Sequence, residues 1–253
     1  MMDMGLAGKR ALVTGGTRGI GAAIVELLLA EGADVATCAR NADDVAAAQK
    51  VAEENNLKLS ASVCDVGNKT AYEQWLGDSV AGLGGVDIFV ANVSGMGGEG
   101  EEGWKKTFDV DLMATVRGCE GLLAPMAQGG GGSMVIISSI SGLEAVGGAG
   151  AYGTIKAGLI AYSSQLAEMA GAHGIRVNAV SPGPIHVDGG FWGNIKAEDP
   201  QSYDAVCARH PSGRMGTTQE VAKCVAFLAS DAASWVTGTN LIVDGGMTKR
   251  VQF

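Results

Sequence analysis

Apolar positions along the chain follow two different periods, which predicts a sheet covered by helices. Short β-branched runs alternate with longer segments whose apolar residues recur every three or four positions. The predicted strands are Arg10–Val13, Asp34–Cys38, Leu59–Val63, Asp87–Ala91, Ser133–Ile137, Arg176–Val180 and Asn240–Val243. The predicted helices are Ile20–Ala30, Asp43–Glu54, Thr70–Leu83, Trp104–Met126, Tyr152–Ala172 and Gln219–Ala229. This alternation predicts an α/β fold, with a doubly wound seven-stranded parallel sheet and helices on both faces.

Length and composition predict one domain over residues 1–253. A chain of 253 residues with 47% apolar content can bury a single large core, and seven strands leave no room for a second domain. The glycine-rich stretch 129–132 lies between a helix and a strand, so we interpret it as a turn rather than a linker.

The charge balance narrows the classes of partner. Lysine and arginine number 18 against 27 aspartates and glutamates, and the net charge of −9 argues against nucleic acid or an anionic membrane. Charged residues such as Glu26, Lys156 and Glu168 interrupt the long apolar stretches, so no membrane span is expected. The first residues lead directly into a strand pattern without a signal-peptide pattern, which predicts a cytoplasmic protein.

Cysteine and histidine spacings indicate no metal site and no disulfide. The five cysteines are far apart, and we expect reduced, mostly buried thiols. The histidines at 173, 186 and 210 are equally scattered, which favours hydrogen-bonded surface residues over metal ligands.

A glycine-rich loop follows the first predicted strand and leads directly into a helix. Gly15, Gly19 and Gly21 have the spacing Gly-x-x-x-Gly-x-Gly, a variant of the commoner Gly-x-Gly-x-x-Gly. Glycines let the backbone approach a pyrophosphate, and the free amides of the helix start attract its charge. The loop therefore predicts a dinucleotide site, with a ligand-free turn as the alternative.

Tyr152 and Lys156 stand four residues apart on a predicted helix, which places a phenol and an ammonium on one face. The positive charge favours the phenolate, so the tyrosine can act as an acid or a base. An ordinary surface pair with this spacing is common, so the other motifs of the chain must distinguish it from a proton-transfer pair. Ser139 ends a predicted strand thirteen residues before Tyr152.

These motifs together resemble the short-chain dehydrogenase/reductase family, and the resemblance covers nearly the whole chain. Besides the loop and the Ser139, Tyr152, Lys156 set, the matching segments are Asp65–Val66, Asn92, Ser181–Ile185 and Val243–Gly246. The resemblance implies a single-domain Rossmann fold and hydride transfer at the nicotinamide. It implies that Tyr152 moves a proton to or from the substrate oxygen, that Ser139 holds that oxygen, and that Lys156 assists Tyr152 and binds the nicotinamide ribose.

Arg40 predicts which cofactor is used. It ends the second strand, where an acidic residue would select NAD, and its guanidinium can receive the 2′-phosphate of NADP. Arg18 could approach from the other side, and the alternative is that both are ordinary surface charges. NADP is therefore preferred over NAD. The full set of predicted cofactor-binding residues is Gly15, Thr17, Arg18, Gly19, Ile20, Gly21, Arg40, Asp65, Val66, Asn92, Val93, Tyr152, Lys156, Pro182, Gly183 and Ile185.

Three segments depart from the family pattern. Ala91–Ser94 replaces the usual Asn-Asn-Ala-Gly, and Val187 replaces a threonine that binds the cofactor. Asp111 stands where the family has the asparagine that holds a water in a proton relay. We expect Asp111 to be the fourth catalytic residue, with an altered pH profile because it adds negative charge near Lys156.

The segment 187–212 is long for a connection and is expected to form a substrate lid. Phe191 and Trp192 within it, with Met96 opposite, predict a small hydrophobic substrate, although the two aromatic residues could instead pack the lid onto the body. The predicted long helices carry surplus apolar residues, which with the resemblance implies a homotetramer. These residues are Leu112, Met113, Val116, Leu159 and Ile160.

The sequence thus predicts an NADP-dependent oxidoreductase that interconverts a hydrophobic ketone and its secondary alcohol. A 3-oxoacyl thioester reductase of fatty-acid type is the first alternative, but the lid offers Lys196 and few other cations to an acidic carrier protein. A non-catalytic NADP-binding regulator is the second alternative, and the intact Ser139, Tyr152 and Lys156 argue against it.

Overall fold

All seven predicted strands are present and lie parallel in one sheet. The structure is a computed structural model that describes residues 4–145 and 148–249. The strands are β1 Arg10–Thr14, β2 Asp34–Ala39, β3 Leu59–Val63, β4 Ile88–Ala91, β5 Gly132–Ile137, β6 Ile175–Pro182 and β7 Asn240–Val243. Their spatial order is β3-β2-β1-β4-β5-β6-β7, with every pair parallel. The predicted fold class is confirmed.

Helices connect the strands across both faces of the sheet. They are α1 Gly19–Ala30, α2 Ala42–Glu54, α3 Lys69–Leu83, α4 Gly100–Thr107, α5 Ala114–Gln128, α6 Ala151–Gly171, α7 Phe191–Glu198, α8 Pro200–Cys207 and α9 Thr218–Ala229. Asn41 and Asn68 cap the amino ends of α2 and α3 by accepting a hydrogen bond from a backbone amide, and Thr217 forms a capping box with Glu220 at α9.

Two hydrophobic cores lie on opposite faces of the sheet. In β1, Leu12 belongs to one core and Val13 to the other, and both are fully buried. Successive residues of a strand point to opposite faces, so a strand covered on both sides reads as an uninterrupted apolar run. The runs Leu12–Val13 and Ile88–Val90 therefore mark the centre of the sheet, where β1 and β4 pair.

The strand order reverses between β1 and β4, which creates a crevice at the carboxyl ends of the strands. From β1 the chain crosses first to β2 and later returns to β4 on the other side. Ligands of open parallel sheets bind at such a reversal. The loops after β1, β4 and β5 meet there, and these loops carry the predicted glycine motif, Asn92 and Ser139.

The predicted helix Trp104–Met126 is confirmed in position, but it is not one regular helix. A π-helical stretch, Phe108–Met113, separates α4 from α5. Asp111 lies inside this widened segment, and its backbone carbonyl accepts a hydrogen bond from Thr115 Oγ1 at 2.6 Å. The periodicity of the apolar residues does not by itself signal this single wider turn.

The predicted lid folds into two short helices rather than an extended connection. Helices α7 and α8 occupy 191–207, and neither contains a buried residue. They pack against each other, and Asp199 caps α8 by accepting a hydrogen bond from the Ser202 amide. The side chains of these two helices are therefore all exposed or half-buried.

The cysteines are free thiols, as expected, and three of the five are buried. The adjacent thiol of Cys64 and burial raise the pKa of Cys38, and burial raises the pKa of Cys119. These two thiols are therefore protonated near neutral pH. Among the described residues, no helix is both long and apolar enough to cross a membrane.

Candidate active site

The glycine loop after β1 has an open cradle above it. Gly15 and Gly19 adopt φ values of +71° and +55°, a left-handed conformation that favours glycine. At Gly19 an added Cβ would meet only the Val187 methyl groups, at 3.8 Å. At Gly21 an added Cβ would lie 2.1 Å from the Gly15 carbonyl oxygen, so only glycine lets α1 approach the loop this closely.

Asn92 fixes the shape of this loop. Its side-chain amide donates to the carbonyl oxygens of Thr14 at 3.0 Å and Gly15 at 3.2 Å, and its backbone amide donates to Thr14 Oγ1 at 3.0 Å. Since both side-chain bonds go to the loop, Asn92 ties the end of β4 to the end of β1. Val93 follows it and packs on Gly15, where an added Cβ would lie 2.9 Å from Val93 Cγ2.

Lys156 is anchored beneath the crevice and is only 2% exposed. Its ammonium donates to the Ile137 carbonyl oxygen at 3.0 Å, which joins α6 to the end of β5. Ser138 Oγ donates in return to the Lys156 carbonyl oxygen at 2.7 Å. These two bonds hold the lysine and the strand end that precedes Ser139 in a fixed relation.

Asp111 faces the same ammonium and is completely buried. Its Oδ1 lies 3.1 Å from Lys156 Nζ, an ion pair whose angles are not those of a hydrogen bond. Its Oδ2 accepts a hydrogen bond from the Gly95 amide at 2.6 Å. One carboxylate therefore connects Lys156 to the loop after β4.

Neither the Tyr152 hydroxyl nor the Ser139 hydroxyl donates a hydrogen bond to any residue that the structure describes. Lys156 Nζ lies 5.6 Å from the centroid of the Tyr152 ring, and the tyrosine is half-buried. Ser139 Oγ accepts a hydrogen bond from the Ser141 amide at 3.1 Å but donates to no described residue. Its hydrogen is thus available to a substrate oxygen.

Arg40 and Arg18 differ in their partners. Arg18 forms an ion pair with Asp44, donating to Oδ1 at 2.9 Å, and this hydrogen bond raises the pKa of Arg18. Arg40 is exposed and forms no hydrogen bond or ion pair with any described residue. Of the two, Arg40 is the one free to receive a phosphate.

The remaining predicted cofactor residues lie along the same edge of the sheet. Asp65 accepts a hydrogen bond from the Gly67 amide at 2.9 Å, and Val66 is buried beside it. Strand β6 runs through Pro182, further than predicted, because a residue at a strand end can dispense with its N–H donor. Ile185 forms a parallel β-bridge with Gly216. The hydrogen bonds of this bridge use the Pro184 carbonyl and the His186 amide, so the Ile185 amide points away from Gly216.

Of the three predicted substrate residues, Met96 and Phe191 are exposed and Trp192 is half-buried. Met96 is 62% exposed and has φ +60°, and its loop passes over Tyr152, whose Cβ lies 3.4 Å from the position of an added Cβ at Gly97. Phe191 is 58% exposed and meets Trp192 edge to face at 5.1 Å between ring centroids. The two aromatic residues pack on each other within the lid.

Sequence reasoning missed four residues that belong to this region. The Gly95 amide donates to Asp111 Oδ2 and the Ser138 hydroxyl donates to the Lys156 carbonyl oxygen, and neither contact has a sequence signature. His186 and Tyr203 form a hydrogen bond between the cofactor segment and the lid. The sequence predicts His186 to be a hydrogen-bonded surface residue, and its partner lies seventeen residues further along the chain.

The cradle fits a dinucleotide. It combines left-handed glycines, open space above Gly19, an unpartnered arginine at the end of β2 and free hydroxyl groups at the other end of the crevice. No cluster of three or more metal-ligating side chains occurs within 4–145 and 148–249.

A family model described as Enoyl-(Acyl carrier protein) reductase matches residues 15–248, which include the glycine loop and the whole Ser139, Tyr152 and Lys156 set. The chain belongs to the short-chain dehydrogenase/reductase family. Its membership explains why the loop, the serine and the tyrosine–lysine pair occur in this order and at this edge of the sheet.

Similar proteins within this family are oxidoreductases. The isoepoxydon dehydrogenase patN of Penicillium expansum is 36% identical, with all of both chains aligned. The 3-oxoacyl-(acyl-carrier-protein) reductase FabG of Escherichia coli is 36% identical over 96% of this chain and 99% of its own. The crystal structure of L-sorbose reductase from Gluconobacter frateurii, complexed with NADPH and L-sorbose, aligns with a TM-score of 0.91 at 30% identity, covering 99% and 100% of the two chains. This short-chain dehydrogenase/reductase is therefore an NAD(P)-dependent oxidoreductase acting on ketones or alcohols.

Proposed function

We propose that the chain is an NADP-dependent oxidoreductase that interconverts a small hydrophobic ketone and its secondary alcohol. The observation that carries the proposal is the buried Lys156, which is bonded to the Ile137 carbonyl oxygen at the end of β5 and lies 5.6 Å from the centroid of the half-buried Tyr152 ring. Ser139 stands two residues beyond Ile137, and its hydroxyl donates to no described residue. A proton donor over a fixed cation, with a hydroxyl donor on the same strand end, suits an oxygen atom whose charge changes during reaction.

Each residue of the set has a separate task in this proposal. Ser139 donates a hydrogen bond to the substrate oxygen and orients it. Tyr152 delivers its hydroxyl proton to that oxygen in reduction and removes the proton in oxidation. Lys156 stabilises the phenolate by its positive charge and is the residue expected to hold the cofactor ribose. When bound, the nicotinamide supplies or accepts the hydride.

Arg40 supports NADP as the cofactor. Arg40 directly follows β2, and its guanidinium has no partner among the described residues. Arg18, in contrast, is already paired with Asp44. The NADPH bound by the sorbose reductase agrees with this choice.

The substrate class rests on the apolar side chains around the crevice. Met96 stands on the loop beside Tyr152, and Phe191 and Trp192 stand on the lid. The full-length similarity to isoepoxydon dehydrogenase favours a small non-polymeric carbonyl compound over a carrier-bound chain. Lys196, which a carrier protein would need, lies 5.4 Å from the Tyr203 ring instead of standing free.

A 3-oxoacyl thioester reductase is the second candidate, and similarity to FabG is the observation that favours it. The regulator alternative has no such support, because the similar proteins are enzymes and the catalytic set is complete.

We also propose a homotetramer. A face that is covered by another subunit should leave apolar side chains partly exposed in the single chain. Four of the predicted contact residues on the two long helical segments are half-exposed: Leu112, Met113, Val116 and Ile160. Leu159 must be removed from the predicted contact set, because it is 1% exposed and packs in this chain's own core.

A substrate panel tests the proposed activity. Oxidation of NADPH and of NADH is followed by absorbance with small cyclic ketones, diketones, a 3-oxoacyl thioester and an enoyl thioester. The proposal predicts turnover of a small ketone with NADPH preferred. Preference for the 3-oxoacyl thioester favours the second candidate, and turnover of none of the compounds contradicts both.

A further inference from the structure

The segment that follows the cofactor-binding motif is tied to the lid by two side chains. Tyr203 Oη on α8 lies 3.2 Å from His186 Nδ1, and the two rings meet edge to face at 5.6 Å between centroids. His186 Nε2 lies 3.1 Å from Asp188 Oδ1. Among the described residues, this is the one side-chain hydrogen bond that joins α7 or α8 to a residue before 187.

His186 itself is held rigidly on the body. Its backbone amide donates to the Gly216 carbonyl oxygen at 3.0 Å, and the Gly216 amide donates to Pro184 at 3.0 Å. Val187, the next residue, contacts the glycine loop at Gly19 and forms one side of the cleft above α1. A displacement of His186 would therefore also move Ile185 and the contact of Val187 with the glycine loop.

Besides this bond, Nδ1 of the buried His210 lies 3.0 Å from the Val206 carbonyl oxygen at the end of α8. Neither lid helix has a buried residue, and the two aromatic side chains of α7 contact each other. Helices that bury no side chain open at low free-energy cost, so a single hydrogen bond has a large share in closing them.

The partners define the direction of the hydrogen bond. Burial raises the pKa of Tyr203, so its hydroxyl keeps its proton and can donate to His186 Nδ1. Asp188 Oδ1 then accepts from Nε2–H, which corresponds to the neutral Nε2–H tautomer of the histidine, assigned from these partners. The Asp188 carboxylate thus orients the His186 ring on one side, and Tyr203 of the lid donates a hydrogen bond to it on the other.

We infer that His186 and Tyr203 form a latch that couples the lid to the cofactor-binding segment and so positions the lid over the substrate. This inference rests on the proposed function. In this inference His186 and Tyr203 do not contact the reacting atoms, and they act as positioning residues. Tyr203→Phe removes the hydroxyl and keeps the ring, and His186→Asn keeps a polar group near Nδ1, whereas His186→Ala removes it.

The kinetic test separates substrate positioning from chemistry. With the best ketone of the panel, Tyr203→Phe and His186→Ala are each expected to raise the substrate KM about five-fold, the effect of one hydrogen bond, with kcat and NADPH affinity changed less than about two-fold. His186→Asn is expected to restore most of the loss. The double variant His186→Ala/Tyr203→Phe is expected to be no worse than either single variant.

Ser202→Ala is the matched control, because Ser202 Oγ bonds only to Asp199 within the lid. An equal KM effect in Ser202→Ala, or no KM effect in Tyr203→Phe, overturns the latch.

Hydrogen exchange gives a readout that does not need a substrate. Without ligand, amides of 191–207 are expected to exchange faster in Tyr203→Phe than in the wild type, with 20–30 in α1 unchanged. NADPH is expected to slow exchange of 191–207 in the wild type but not in the variant. Equal exchange in both proteins refutes the latch, whereas a wild type that neither binds NADPH nor turns over any carbonyl refutes the proposed function instead.

Discussion

The carboxylate of Asp111 lies 3.1 Å from the ammonium of Lys156, and both side chains are almost completely buried. The carboxylate offsets the lysine's charge at the point where that charge supports Tyr152. It also accepts a hydrogen bond from the Gly95 amide, so the same residue contacts both Lys156 and the loop after β4.

Replacing Asp111 by Asn removes the negative charge while it keeps an oxygen for the Gly95 amide. A nearby anion disfavours the phenolate, so its loss is expected to move the pH–rate profile of alcohol oxidation toward lower pH. The profile of kcat/KM between pH 6 and 11 measures this. Asp109→Asn, at an exposed position of the same π-helical stretch, is the control. An unchanged profile and rate in Asp111→Asn contradict the role given to this residue.

Arg40→Asp is expected to reverse the cofactor preference. It removes the unpaired guanidinium and sets a carboxylate against the 2′-phosphate, so kcat/KM for NADPH should fall by about 10- to 100-fold while that for NADH is kept or rises. Arg18→Ala should change the ratio less, because Arg18 is engaged by Asp44. If Arg40→Asp keeps the wild-type ratio of kcat/KM for NADPH to kcat/KM for NADH, Arg40 does not bind the 2′-phosphate.

Gly21→Ala is expected to abolish tight NADPH binding. The added Cβ would lie 2.1 Å from the Gly15 carbonyl oxygen and 2.5 Å from Asn92 Nδ2, so the loop must move. Titration of NADPH fluorescence measures the affinity. Gly77→Ala is the control, because its Cβ meets nothing within 4 Å on the exposed side of α3, and helix propensity predicts a gain of about 0.5–1 kcal/mol in stability. Normal NADPH affinity in Gly21→Ala is the contradicting result.

Asp87→Asn tests the ion pair at the opposite edge of the sheet. Burial raises the pKa of Asp87, but hydrogen bonds from the Arg10 guanidinium and backbone amide outweigh it and hold the pKa below its usual value. Its stabilisation is therefore present above pH ~4, the ordinary aspartate range, and is lost as pH falls through the lowered value.

Denaturant unfolding of Asp87→Asn should therefore show a loss of about 1–3 kcal/mol at pH 7, which shrinks progressively below pH ~4. The control Asp34→Asn disrupts a pair with the exposed Lys58 and should cost less than about 1 kcal/mol. A loss for Asp87→Asn that is independent of pH would mean that the charge of Asp87 is not what stabilises this edge.

Much of the fold could be predicted because local patterns and tertiary packing agree. The strands begin and end within a few residues of their predicted bounds, since runs such as Leu12–Val13 have no polar face to place toward solvent. The glycine loop was predictable because its spacing matches a backbone path that other residues cannot follow.

The parts that escaped prediction depend on contacts between distant segments. The π-helical turn at 108–113 and the bond from Gly95 to Asp111 require the loop after β4 to pack on α5 and α6. The lid helices have weak apolar faces, so periodicity did not reveal them. His186 looked like a surface histidine because Tyr203, seventeen residues away, is visible as its partner only in three dimensions. The tetramer and the cytoplasmic location stay predictions.

The measurement that tests the central claim most directly is the turnover of Tyr152→Phe with NADPH and the best small ketone, together with its NADPH affinity. The phenylalanine keeps the ring above Lys156 and removes the proton that the mechanism transfers. The account predicts a fall in kcat of about 10²–10⁴-fold with NADPH affinity within a few-fold of the wild type. A Tyr152→Phe enzyme that retains wild-type turnover would contradict the assignment of Tyr152 as the acid and base.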